Sequence, residues 1–166
     1  MRVAARAKTG PGRARWAARL VGAGLTTATA LGIAAGPALA DPGPPSNPGM
    51  IQPAEVGDNP DVSCAPGETG FRVENPSTGS VNIPGDGSLD IIVSNTDQGQ
   101  VFSFFIPDAA QRAATKVVAK GGNIGANVYT YPSPGSTADG FLHTPINPSG
   151  KFADLSHIDF CVVPCP

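Results

Sequence analysis

The sequence predicts an all-β fold, a small antiparallel β-sandwich-like domain with at most one short helix. Three observations point there. From Gly70 onward, runs rich in β-branched and aromatic residues recur about every ten residues, the spacing of a sandwich or barrel rather than of βαβ units. Turn chemistry separates these runs, in a chain with 21 Gly and 18 Pro. In the last run, from Leu155 to Val163, Ile158, Phe160 and Val162 alternate with His157, Asp159 and Cys161. That is the period-2 pattern of a half-buried strand.

Residues 1–40 stand apart from this domain. Arg2, Arg6, Lys8, Arg13, Arg15 and Arg19 precede an uncharged run from Leu20 to Ala35. Gly36–Pro37 breaks the run, and Ala38–Leu39–Ala40 presents small residues. A basic region, an apolar stretch and an A-x-A site in that order read as a secretory signal peptide. The apolar stretch falls short of the ~20 residues that span a bilayer. No later run reaches that length, so the mature chain is expected to be secreted and extracellular, with no membrane span.

Removing this leader takes six of the 11 Lys and Arg and none of the 13 Asp and Glu. Arg72, Arg112, Lys116, Lys120 and Lys151 then face 13 acids, for a net charge of −8. Nucleic-acid binding is excluded as an expectation, because it needs a basic surface to displace phosphate counterions. Acidity of this kind keeps a secreted protein soluble.

In the mature chain, residues 41–62 are dense in Pro and Gly with few large apolar residues. They are expected to form a flexible tail or linker, since such a segment buries too little surface to offset backbone entropy. The domain is placed at 63–166. Its first strand is expected at Gly70–Glu74, ended by Asn75–Pro76, and a weaker one at Thr78–Ile83, closed by Pro84–Gly85. Leu89, Ile91 and Val93 mark the third, and Gln100–Ile106 the fourth, which stops at Pro107. Asp108–Ala114 is the one helix candidate, of one or two turns, with Asp108 as an acidic cap. Thr115–Lys120 and Ala126–Tyr131 flank Gly121–Gly122–Asn123 and are expected to pair as a hairpin. Tyr131–Asp154 is the longest irregular segment. Long ordered loops often carry function.

An exported protein forms disulfides by default. Cys64–Cys161 is the preferred bridge of the three cysteines, a staple between the first and last strands of the domain, with Cys64–Cys165 as the alternative. A metal site would draw on these cysteines with His143 and His157, but no C-x₂-C pair is present and no metal or other cofactor is expected. Asp58, Asn59 and Asp61, or Asp86 with Asp90, offer oxygen ligands without the spacing of an EF-hand. Turn formation explains them.

Lys120–Gly121–Gly122, Asn127–Val128–Tyr129–Thr130–Tyr131, Gly140–Phe141–Leu142–His143–Thr144–Pro145–Ile146–Asn147 and Leu155–Ser156–His157–Ile158–Asp159–Phe160–Cys161 follow one another in a recognisable order. The chain from about Val117 to Cys161 resembles a family of secreted bacterial proteins and cell-surface modules of largely undefined function. The resemblance implies an extracellular β domain with a cysteine near each end. It carries over no catalytic residue, and Cys165 departs from the pattern.

Two functional classes follow. The preferred one is a secreted, non-catalytic binding or surface-associated module, a monomer whose partner is an envelope or extracellular polymer. Its expected contact surface is the face of Tyr129 and Tyr131, which share one side of a strand as a stacking platform, with Asn127, His143, His157 and the 132–154 loop. Packing of that face under the loop is the competing structural reading. The other class is a small hydrolase using His157 and Asp159. Ser156 supplies a third residue of triad type, but on a strand it points away from its neighbours.

Overall fold

The computed structural model describes residues 41–57, 60, 62–85 and 87–165. Among these residues, nine strands form two antiparallel sheets: β1 (Ala54–Val56), β2 (Thr69–Glu74), β3 (Gly79–Asn82), β4 (Ser88–Thr96), β5 (Gly99–Phe105), β6 (Arg112–Gly121), β7 (Ala126–Thr130), β8 (Ala138–His143) and β9 (Leu155–Pro164). One sheet runs β1-β7-β6-β9-β2 and the other β3-β4-β5-β8. The all-β expectation holds, and β6 and β7 pair as the predicted hairpin.

Alternation in the sequence places the core. Phe71, Phe160, Val117 and Tyr129 are register partners across four strands of the larger sheet. They face Leu89, Ile91, Phe102 and Phe104 of the smaller one. Phe104 meets Phe160 and Tyr131 edge-on, at ring-centroid distances of 5.6 and 6.0 Å. Each such side chain, fully buried, contributes roughly 1.5–3 kcal/mol.

The last strand is more enclosed than a half-buried strand would be. His157, Asp159 and Cys161, on its outer face, are also buried. Arg72 covers Asp159 from β2, and Cys64 bonds to Cys161 with Cα atoms 5.5 Å apart. The predicted bridge therefore forms, though its role differs from a staple between the first and last strands. Cys64 lies in the loop before β2, and β2 is already the hydrogen-bonded neighbour of β9. Cys165 is an exposed thiol.

Three local expectations change. The helix at 108–114 shrinks to a 3-10 turn, Asp108–Ala110, because Gln111 takes a left-handed conformation and Arg112 begins β6. Pairing with β9 outweighs the helix preference of Ala113 and Ala114. Within the 131–154 loop, Ala138–His143 forms β8, paired to β5 through an irregular register.

Residues 41–57, expected as part of a flexible tail, belong to the domain. β1 pairs with β7, Asp41 bridges Ile146, and the Asn47 amide donates to Gly140 O at 2.8 Å. Composition argued for a tail because few apolar residues are present. The segment is instead held by its backbone, which composition does not report. Residues 1–40, expected to be a signal peptide, and Asp58, Asn59, Asp61 and Asp86 among the calcium candidates, lie outside the described residues.

Candidate functional site

Asn127 and Tyr129 alternate inward along β7, and Tyr131 continues the same face just past its end. Opposite them, β8 supplies Asp139 and His143. These five side chains form one buried polar cleft. The Tyr129 hydroxyl donates to His143 O at 3.1 Å and accepts the His143 amide at 3.0 Å. Tyr131 donates to Asp139 Oδ2 at 2.9 Å. Asn127 Nδ2 donates to His143 O at 3.0 Å and to Pro42 O at 2.8 Å.

The cleft is filled by the chain's own residues 41–51. His143 Nε2 lies 3.0 Å from Pro44 O, and Asp139 Oδ1 accepts the Gly49 amide at 2.9 Å. Burial raises the hydroxyl pKa of both tyrosines, helped at Tyr131 by the Asp139 carboxylate. Both stay neutral donors. His143 stacks on Phe152 at 3.9 Å, with carbonyl oxygens at both ring nitrogens, Thr144 O 2.8 Å from Nδ1. Burial nevertheless lowers its pKa, against the pull of those two carbonyls.

Four of the five candidate binding residues, Asn127, Tyr129, Tyr131 and His143, thus come together, but not as an exposed platform. Tyr129 is 0 % and Tyr131 6 % exposed. Their rings pack inside the sandwich and their hydroxyls are spent on His143 and Asp139, so no face is left for a ligand to stack on. Asp139 and the segment that fills the cleft were not foreseen. Neither announces itself locally, because the contacts that join the segment to Asp139 and Asn127 span some 90 residues of sequence.

His157 lies elsewhere, on the outer face of the larger sheet. It stands in register between Glu74 of β2 and Lys120 of β6. Its Nδ1 is 3.3 Å from Ser156 Oγ, closer than the alternation of a strand suggests, since Nδ1 is the ring nitrogen nearer the backbone. Its Nε2 is 3.8 Å from Asp159 Oδ2 and has no hydrogen-bond partner among the described residues. Burial lowers its pKa, and nearby Arg72 lowers it further. This is not the geometry of a triad, in which the carboxylate holds Nδ1 and the serine faces Nε2. Asp159 is instead gripped by Arg72, Nε to Oδ1 at 2.6 Å and Nη2 to Oδ2 at 3.0 Å. A two-pronged pair of this kind is strong.

An open groove of about 580 Å³ lies beside the end of β7, bordered by Glu68, Thr115, Lys116, Thr130, Ser133 and Pro134. Both Glu68 oxygens are taken, one by the Thr115 hydroxyl and one by the Ala65 amide, each at 2.7 Å. Among the described residues, Lys116 Nζ donates to Ser63 O at 2.7 Å, one of the three hydrogen bonds an ammonium can make. Cys64, Glu68 and Cys161 cluster within 4.8 Å, but both sulfurs belong to the disulfide and offer no thiolate to a metal.

Comparison with protein-family models, with curated proteins and with solved structures finds no match.

Proposed function

We propose that the protein is a secreted, non-catalytic binding or surface-associated module that takes its ligand at the groove bordered by Lys116, Thr130 and Ser133. One observation carries the reading. Tyr129, Tyr131, Asp139 and Asp159 are committed to one another, to backbone or to Arg72, whereas the open groove presents the Thr130 and Ser133 hydroxyls beside the Lys116 ammonium. Such donors suit a hydroxyl- or carboxylate-bearing polymer of the envelope or medium. The β-sandwich, the Cys64–Cys161 bridge and the leader-like residues 1–40 support an extracellular setting. No helix among the described residues is long and apolar enough to cross a membrane.

The test is a binding screen of the mature chain against envelope and extracellular polysaccharide fractions. Thr130→Arg and Ser133→Arg, which fill the groove, should abolish retention. Unchanged retention by both variants would move the contact surface elsewhere. The rival class is a small hydrolase using His157 and Asp159, whose Nε2 and Oδ2 lie 3.8 Å apart. Activity profiling of the wild type beside His157→Ala separates the two classes.

A further inference from the structure

The buried cleft reads peptide backbone. Asn127 Nδ2 and the His143 ring meet Pro42 O and Pro44 O. Asp139 Oδ1 takes the Gly49 amide, Gly140 O takes the Asn47 amide and the Ile146 amide donates to Asp41 O. Five points of a Pro- and Gly-rich segment, which turns back on itself between Ser46 and Ile51, are held through backbone groups, as peptide-binding sites do.

Two glycines restrict which segment fits. A Cβ at Gly43 would stand 2.7 Å from His143 Cε1, and one at Gly49 2.5 Å from Asp139 Oδ2. Gly43 also has φ +83°, a conformation that disfavours side chains. The occupant must carry glycine at both places, six residues apart, among prolines. Residues 41–51 of this chain meet that requirement.

The same segment is held mainly through its backbone, with Ile51 packed against the core. Of residues 41–52, Ser46 alone is fully buried, and Met50 is 70 % exposed. Asn127 Oδ1 is buried in the cleft with no hydrogen-bond partner among the described residues. An element held by a few hydrogen bonds and little apolar area opens before the rest of a domain.

We propose that this cleft is a peptide-binding site whose partner is residues 41–51 of a second copy, so that copies associate by exchanging the segment when their own is released. In the closed monomer the chain's own segment competes at high effective concentration. The exchange replaces identical contacts.

The experiment uses the full mature chain and a fluorescent synthetic peptide of residues 41–53. A Gly43→Ala chain, whose own segment seats poorly, is expected to bind the peptide at least tenfold more tightly than the wild type. A peptide carrying Gly43→Ala should not bind. Mixing the Gly43→Ala chain with an Asn127→Ala chain, which keeps a sound segment, should give a mixed dimer by size exclusion. Peptide binding to neither chain, or equal binding when Asn127→Ala is added to Gly43→Ala, overturns the proposal. If Gly43→Ala does not fold, hydrogen exchange on the wild type decides. Asn47 and Gly49 amides should exchange well before the β6 and β9 core. Exchange at the core's rate would mean the segment never leaves.

Discussion

Asn127 shows how much one side chain can organise in this protein. Its amide nitrogen joins the backbone of β8 to that of the 41–51 segment through His143 O and Pro42 O. Asn127→Leu keeps the volume but leaves both carbonyls without that donor. We expect a loss of about 2–4 kcal/mol, read from the midpoint of urea unfolding. The two histidines add a pH dependence. Burial sets both folded pKa values below the ordinary histidine value of 6.5, so below that pH the unfolded chain binds protons the folded chain does not. Stability should hold above pH 7 and fall as pH drops through 6.5 toward the folded values, then level off. Thermal melts from pH 7.5 to 5 check this. His157→Gln, alone, should flatten part of the slope.

Among the strands, β9 is hydrogen-bonded to β2 and covalently tied to the loop that leads into it. The bridge spans 97 residues of sequence, and in the chain-entropy model its loss removes at most about 4–5 kcal/mol. Melting with and without reductant should show a large drop in midpoint, and none would assign stability to the sheets alone. The β4–β5 hairpin depends on Gly99, where φ is +122° and a Cβ would lie 2.5 Å from Phe152 O. Gly99→Ala should destabilise by more than 1 kcal/mol in the same assay. Such elements differ in how far the sequence discloses them. β5, β9 and the β6–β7 hairpin were readable because each is a run of β-branched or aromatic residues bounded by Pro or Gly. β8 was not, since Gly140 and the left-handed Phe141 break its pattern. Nor was the docking of residues 41–57, whose partners, Asn127, Asp139 and Gly140, lie far along the chain. At the cleft, the residue types at 127, 129, 131 and 143 were legible and their burial was not. Alternation says that side chains share a face, not whether that face is covered.

Over the whole molecule, the ends of the domain meet its middle and one another. β1 pairs with β7, and β2 with β9, so loop closure over long stretches precedes most of the stabilising contacts. Folding of such a topology runs on the millisecond-to-second scale. Stopped-flow refolding with the disulfide intact should be faster than with it reduced, because the bridge closes the β2–β9 loop beforehand.

The 41–51 segment also shields a margin. β8 is the last strand of its sheet, and its outward amides and carbonyls are a template on which a foreign strand could grow. Where the Asn47 amide caps Gly140 O, that template is blunted by a stretch too rich in proline to extend it. A chain stripped of this cover would present a bare, continuable rim. Its first failure on storage would then be fibrous precipitation rather than simple unfolding.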